Sequence, residues 1–287
     1  PSLYGETAVL RILDTHRAPL QLDGLGFTPA LCGQIAGVVA QPHGLLLICG
    51  PTGSGKTTTQ YAILRTLHRE QAKLVTVEDP IEYHIEGVNQ IQVRPQIGLG
   101  FAEVLRSVLR HDPDVIMVGE ARDSETARIT VQAALTGHMV LCSLHTNDAS
   151  GAVARLTDMG VEPYLLASTL RGVLAQRLVR KLCPNCRAPD RMAARAASDL
   201  GLGQDVQAYR PVGCPACRNS GFSGRTVIAE FIPASEPLQD LILRNADSGE
   251  IRRAAIAAGM RTLRADGLAK VADGVTSLDE VLRVTAA

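Results

Sequence analysis

Leu45-Leu46-Leu47-Ile48-Cys49 is a continuous apolar run, too short for a helix and closed by a glycine-rich turn. That is the pattern of a strand buried on both faces of a parallel sheet. A helix is predicted from about Lys56. The alternation then repeats, with a strand near 74–77, a helix near 101–110, a strand at 115–118, a helix near 124–135 and a strand at 139–143. Alternating strands and helices imply right-handed crossovers and a sheet covered on both faces. Between Cys183 and Cys217 the composition changes to Cys, Pro, Ala and Arg, which predicts a separate small module. Beyond Pro237 the chain reads as helical. Asp247 stands three residues before Glu250 and Ser277 three before Glu280, two patterns that open helices. The expected division is an α/β core over 21–182, a cysteine module over 183–225 and a helical C-terminal region over 226–287, with no internal repeat.

A chain of 287 residues, 46% hydrophobic, can bury one sizeable core and still carry attachments. Twenty-nine Lys and Arg balance 29 Asp and Glu, so no excess of positive charge points to nucleic acid or an anionic membrane surface. Aromatic content is 3% without Trp, which leaves few platforms for stacking single-stranded bases and argues against a helicase. No apolar run reaches the roughly 18 residues that span a bilayer, and no charged start precedes an apolar signal segment. A soluble cytoplasmic protein is the expectation. The opening Pro1-Ser2-Leu3-Tyr4 has no initiator Met and runs into the strand-like ETAVLRIL, which suggests a fragment of a longer chain.

The candidate chemistry begins at Gly50-Pro51-Thr52-Gly53-Ser54-Gly55-Lys56-Thr57, which satisfies G-x-x-x-x-G-K-[ST] between an apolar strand and a helix. Glycines allow backbone N–H groups to turn inward around phosphates, and the helix N-terminus adds partial positive charge. Lys56 is expected on the β- and γ-phosphates of ATP, the Thr57 hydroxyl on Mg²⁺, and Thr58 on the first turn beside them. A glycine-rich turn with an accidental Lys is the alternative, and the flanking strand and helix disfavour it. Hydrolysis needs a carboxylate to orient water, and Glu120, ending the stretch 112–120, is the first candidate. Where many P-loop proteins end this strand in a magnesium-ligating Asp, this chain has Gly119. A second acidic group, Glu78-Asp79-Pro80-Ile81-Glu82, closes the preceding strand and is expected on the same sheet edge. His138 and His145 bracket the next strand. His145, at the expected carboxyl end, is placed to sense the γ-phosphate, whereas His138 reads equally as a structural hydrogen-bonder.

Cys183-Pro-Asn-Cys186 and Cys214-Pro-Ala-Cys217 form two C-x-x-C knuckles, which together supply four thiolates for a tetrahedral ion. Structural zinc is the reading, since a redox C-x-x-C needs a thioredoxin-like context that is missing. Cys32, Cys49 and Cys142 read as core residues.

Taken together, these residues resemble the secretion ATPase superfamily, the type II secretion ATPases and the ATPases that assemble or retract type IV pili. Four blocks carry the likeness: GPTGSGKTTT at 50–59, VTVEDPIEY at 75–83, RHDPDVIMVGEARD at 110–123 and TGHMVLCSLHTNDA at 136–149. The resemblance implies a RecA-like P-loop core using ATP and Mg²⁺, with Glu120 as catalytic glutamate, Glu82 as the functional glutamate of the acidic box, and His138 with His145 as a histidine box. It makes the missing strand-end Asp a family trait. It also implies a homo-hexameric ring in which arginines reach a nucleotide held elsewhere, at the positions of Arg11, Arg106 and Arg110. Residues 1–20 resemble only the tail and linker of the family's preceding N-terminal domain, whose missing part binds inner-membrane platform proteins. Localisation is then cytoplasmic, peripheral at the inner membrane through partners. The tetracysteine module resembles that of secretion and pilus-assembly members and favours them over retraction motors. The implied function is an ATP-driven motor for assembly of a pilus-like fibre in type II secretion. A type IV pilus assembly ATPase is the near alternative, a nucleic-acid translocase or a non-hydrolysing nucleotide-binding scaffold the distant ones.

Overall fold

The computed structural model describes residues 5, 6, 8, 21–68, 72–201 and 207–286. Arg11 and most of the strand-like ETAVLRIL lie outside them. Thr28 caps the helix α1 (Pro29–Val39) by accepting from the Leu31 N–H, with Pro29 at the first helical position, where its missing N–H costs nothing. The predicted alternation follows, with one strand, β3, that was not predicted: β1 (Gly44–Cys49), α2 (Lys56–Leu67), β2 (Leu74–Glu78), β3 (Asn89–Gln92), α3 (Phe101–Val108), β4 (Val115–Val118), α4 (Ser124–Leu135) and β5 (Met139–Leu144). Strands β1, β2, β4 and β5 are buried at every position, as expected of largely apolar strands covered on both faces.

After α5 (Ala149–Asp158) and α6 (Pro163–Thr169) comes the long strand β6 (Leu170–Leu182). The cysteine module then contributes β7 (Ala188–Pro189), α7 (Arg191–Asp199) and β8 (Tyr209–Arg210), and the chain returns as β9 (Phe222–Pro233). Four helices close the sequence: α8 (Glu236–Leu243), α9 (Ser248–Ala257), α10 (Leu263–Ala272) and α11 (Leu278–Thr285). Asp247 and Ser277 cap α9 and α11 by accepting from the Glu250 and Glu280 N–H groups, as the spacing predicted.

The main sheet has seven strands in the order β3-β2-β4-β5-β1-β6-β9, all parallel except β9, which runs antiparallel to β6. One apolar core fills each face, so the sheet is covered on both sides. The expected boundary at 225/226 falls inside β9 (Phe222–Pro233). The helical region begins only at Glu236, and the last strand of the core sheet comes from beyond the cysteine module. Sequence periodicity missed this because β9 is polar and exposed through residues 223–225 and buried only from Thr226 onward. Nor is the module wholly separate, since Ala197 and Ala208 pack with Leu268, Val271, Leu278 and Val281 of α10 and α11.

Buried carboxylates fasten the C-terminal helices to the sheet. Glu230 of β9 accepts from the N–H groups of Ala149 (2.9 Å) and Leu263 (3.1 Å), which open α5 and α10. Asp266 of α10 accepts from the Ala229 N–H at 3.1 Å. Glu280 of α11, 2% exposed, accepts from the backbone and guanidinium of Arg180 and from Arg283.

Burial alone would raise the Glu280 pKa, but the hydrogen bonds from Arg180 and Arg283 outweigh it and hold the carboxyl at about 2, against an ordinary 4.5. The folded protein therefore binds this proton less readily than the unfolded chain. The stabilisation is complete above pH 4.5 and is lost as pH falls toward 2. Both guanidinium partners are half exposed or more, which screens the pairs, so we expect roughly 1–3 kcal/mol. Glu280→Gln is predicted to lower stability by that amount at pH 7 and to lose less on acidification. Urea midpoints of both proteins at pH 7 and pH 3 check this, and equal losses for the two would refute it.

Candidate functional site

Parallel strands end on one edge, and there the chain places the turn from β1 to α2, the residues after β2 and β4, and His145 after β5. Together they line a cavity of about 490 Å³ that includes residues 52–58, Glu78, Asp79, Glu82, Glu120, Arg122 and His145. A larger groove of about 910 Å³ runs past α1 and α2, lined by Asp23, Cys32 and Arg65 among others. It gathers neither the glycine-rich turn nor a strand-end carboxylate, so the smaller cavity holds the chemistry.

The turn is built for backbone approach. Gly50 and Gly55 have φ of 153° and 89°, which a side chain would strain, and a Cβ on Gly50 would come within 2.4 Å of Ser54 Oγ. Gly55 gives way directly to the N-terminus of α2. Lys56 Nζ donates to the carbonyls of Gly50 (2.8 Å) and Pro51 (3.1 Å), so the ammonium lies across the loop. Burial lowers its pKa and the charge of Glu120 opposes that shift, which ties the cation electrostatically to the carboxylate across the cavity. Ser54 Oγ is one of the buried polar atoms without a partner among the described residues. A loop with a cation, a helix N-terminus and an unpaired hydroxyl fits a polyphosphate. Lys56 and the loop amides would hold it, and Thr57 would hold its magnesium.

Glu120 is 9% exposed and its backbone is pinned on both sides. The Gly119 N–H donates to Val77 O at 2.8 Å, the Ala121 N–H to Ser143 O at 3.1 Å, and the Ser143 hydroxyl to Gly119 O. Its carboxylate meets Arg122 on one oxygen and His145 Nε2, at 3.2 Å, on the other. The hydrogen bond to Glu120 raises the pKa of Arg122, as expected for a fixed ion pair. A carboxylate so oriented can accept a proton from, or align, a water facing the phosphate loop. At the position of the missing strand-end Asp, the chain passes close to β2. A Cβ at Gly119 would lie 3.1 Å from Val77 O and 3.4 Å from Glu78 Cα, so β2 leaves little room for a side chain.

The acidic box divides. Glu82 and Asp79 face the cavity. Glu78 also borders it, but its carboxylate is 2% exposed and is taken by Tyr61, Thr76 and Gln90. That makes Glu78 a brace between β2 and α2. His138 is not brought to the site. It precedes β5, at the opposite edge, where its carbonyl accepts from Gly44 N and its Nδ1 lies 2.9 Å from Ala133 O. Arg106 pairs with Glu125 and with Glu103 at 3.8 Å, and Arg110 donates to Arg106 O. Both are exposed, Arg106 on α3 and Arg110 just beyond its end, and neither lines the cavity of its own chain. Sequence reasoning missed Arg122, although its position two residues from Glu120 on the same strand end was a usable signal.

The four expected cysteines converge, with Sγ atoms 3.9 Å (Cys183 to Cys214), 3.8 Å (Cys186 to Cys217) and 3.7 Å (Cys214 to Cys217) apart. A tetrahedron with Zn–S of about 2.3 Å has sulfur–sulfur edges of about 3.8 Å, so the set fits zinc. Backbone N–H groups of Gly213, Cys214 and Gly221 point at the sulfurs, as thiolates require. For Cys217, desolvation works against ionisation, but the Cys214 and Gly221 amides and the neighbouring thiols prevail and bring the pKa down to about 6. By contrast, burial pushes the Cys49 thiol up to about 12, which agrees with a core role.

A mostly parallel α/β sheet with a phosphate-loop turn at its carboxyl edge, a cysteine cluster and a helical C-terminal region defines the class of protein. The family model described as Type II/IV secretion system protein matches residues 1–283, and the chain belongs to that family. Type II secretion system protein HxcR of Pseudomonas aeruginosa is 50% identical over 285 residues, which are 99% of this chain and 58% of that protein. Type II secretion system ATPase E of Vibrio cholerae is 49% identical over 287 residues, 99% of this chain and 57% of that one. The chain thus spans less than three fifths of the length of these relatives. Among solved structures, the pilus retraction motor PilT with bound ADP has a TM-score of 0.70 at 26% identity, covering 93% of this chain and 67% of its own. The Legionella pneumophila ATPase DotB has the same fold, with a TM-score of 0.68 at 24% identity over 93% of this chain and 66% of its own. No helix among the described residues is long and apolar enough to cross a membrane.

The thiolate geometry predicts one zinc per chain. Cys214→Ser is expected to release it and to loosen residues 183–221 and their contacts with α10 and α11, because metal binding and local folding are coupled in so small a unit. Metal analysis and proteolysis of the two proteins check this. Wild-type protein purified without zinc, yet equally resistant, would show that the cluster is not a metal site.

Proposed function

We propose that the chain is the ATP-hydrolysing part of a type II secretion motor, which binds Mg-ATP at residues 50–58 and turns it over with Glu120. The single observation that carries this reading is the placement of Glu120, held between Arg122 and His145 on the cavity edge opposite Lys56. The site supplies three things: amides, Lys56 and a helix N-terminus to hold the phosphates, Thr57 for magnesium, and a carboxylate to align water. Magnesium would neutralise charge on the β- and γ-phosphates. Glu82 borders the same cavity and is placed to act through water, and His145, in contact with Glu120, to register the γ-phosphate. His138 is assigned a structural role.

About 50% identity to proteins named for type II secretion favours that pathway over pilus assembly. The reading extends to a homo-hexamer that works with inner-membrane platform proteins from the cytoplasmic side to assemble a pilus-like fibre. In it, exposed arginines such as Arg106 and Arg110, together with Arg11, serve a neighbouring subunit's nucleotide, where a guanidinium can neutralise charge on the transferred phosphoryl. Zinc is assigned to Cys183, Cys186, Cys214 and Cys217 as a structural ion. Balanced charge and scarce aromatics keep nucleic acid out of the partner set.

Glu120→Gln tests the chemistry. Turnover is expected to fall by about 10²-fold or more with ATP affinity retained, because the amide fills the same space without accepting a proton. Unchanged hydrolysis would remove Glu120 from its role. The ring is tested separately by ATPase turnover per subunit against protein concentration in Mg²⁺ with zinc-replete protein. An increase is expected if sites are completed between subunits, whereas flat, measurable turnover would rule out arginines acting in trans.

A further inference from the structure

Behind the phosphate loop, on the side away from the carboxylates, β6 carries a buried amide that none of the motifs includes. Gln176 is 1% exposed. Its Nε2 donates to the carbonyl of Ser54 at 2.8 Å, and its Oε1 accepts from the hydroxyl of Thr59 at 2.9 Å. A carbonyl can only accept, so the amide nitrogen must face Ser54, and the side chain has one orientation that satisfies both partners. The contact spans the loop and the helix that follows it, since Ser54 lies in the turn and Thr59 in the first turn of α2. The backbone of β6 crowds the same place, for a Cβ on Gly50 would come 2.7 Å from the Gln176 carbonyl oxygen.

Peptide planarity gives this contact a functional consequence. In a trans peptide, C=O and the following N–H point in opposite directions. A Ser54 carbonyl drawn back toward β6 therefore turns the Gly55 N–H away from β6, toward the cavity that residues 52–58 line. Gly55 alone would not hold this orientation, because its φ of 89° lies where glycine moves freely. We propose that Gln176 is a positioning residue for phosphate binding, fixing the Ser54–Gly55 peptide so that its N–H faces the polyphosphate. The proposal rests on the ATP-binding reading above and adds to it a residue more than a hundred positions downstream of the loop. Gln176 does not touch the phosphates; it limits the conformations the loop must abandon on binding them, which is the usual source of gain from preorganisation.

The experiment compares wild type with Gln176→Leu, which keeps volume but removes both hydrogen bonds, and with Gln176→Asn, whose amide is one methylene too short to reach. Three quantities are read: ADP affinity, the separate changes in KM and kcat for ATP, and amide hydrogen exchange over residues 50–59 without nucleotide. We expect ADP affinity to fall about tenfold, the loss of roughly one buried hydrogen bond. KM should rise by more than kcat falls, and the loop should exchange faster before any nucleotide is added. A side chain that merely packs would lower the melting temperature without this KM bias or loop-specific exchange. Unchanged affinity and exchange in a folded Gln176→Leu protein would overturn the proposal. If that variant does not fold, Gln176→Asn is judged by the same readings. Should the wild type fail to bind ATP or ADP, the ATPase reading fails. Faster loop exchange in the variants would then still support the role of Gln176 in holding the loop, and unchanged exchange would refute it.

Discussion

Parallel pairing of β2, β4, β5 and β1 is the constraint on which the site depends. Val77 stands beside Val118, Val118 beside Cys142, and Cys49 beside Leu144, so four strands end within about one residue of a common line. Each end then delivers one chemical group: acidic residues after β2, Glu120 after β4, His145 after β5 and the phosphate loop after β1. The interposition of β5 sets the scale. Adjacent strands lie about 4.8 Å apart, so β1 and β4, two strands apart, hold their loops about 10 Å from each other. That gap can take a terminal phosphate and a water, which a directly adjacent carboxylate would crowd. It also keeps Lys56 and Glu120 from collapsing into a direct salt bridge while leaving them electrostatically coupled.

Helix α2 converts this arrangement into a rigid one. Three consecutive buried polar residues in it each hold a different strand: Thr59 bonds Gln176 of β6, Gln60 bonds the Val118 carbonyl of β4, and Tyr61 bonds Glu78 of β2. Polar groups in such a place cost stability unless paired, and nearly all of these are. Gln60 Oε1 is the exception among them. What the pairs provide is registry. The helix that begins at the phosphate loop cannot slide over the sheet without breaking bonds to both strands that carry the acidic groups. The raised pKa of Tyr61, due first to burial and then to Glu78, has the same origin.

Elements with continuous apolar runs or a helical period were legible from the sequence to within a few residues, because β1, β4 and β5 have no exposed face whose polarity could mask them. The loop 50–57, Glu120 and the cysteine knuckles were legible because their chemistry fixes both residue type and spacing. Long-range pairings were not. β9 hides because its first part is exposed and its partner lies across the module. Gln176 and the bracing role of Glu78 hide because a buried hydrogen bond leaves no periodic trace. Among the charged residues, type alone also misled. Glu78 and Glu82 look equivalent in the acidic box, yet Tyr61, Thr76 and Gln90 occupy the first, and His138 and His145 are separated by the whole length of β5.

The path of the chain through β6 and β9 sets where the cysteine module is attached. The chain leaves the sheet along β6, folds the module, and returns along β9, so the module sits at the end of a long antiparallel pair. Successive residues of β6 face opposite sides of the sheet, and they hold different parts of the molecule. Gln176 holds the phosphate loop, Arg177 donates to Asn147 O just beyond His145, and Arg180 pairs with Glu280 of α11. Leu182 then leads directly into Cys183. The contacts to α11 and the module thus lie on the same strand as those to the loop and the turn after β5, within a span of six residues from Gln176. Glu230 closes the circuit from the other strand, since its two oxygens serve the first N–H of α5, near His145, and that of α10, which packs on the module. The carboxyl edge of the sheet and the C-terminal helices are thus joined by a few directional hydrogen bonds as well as by apolar contact.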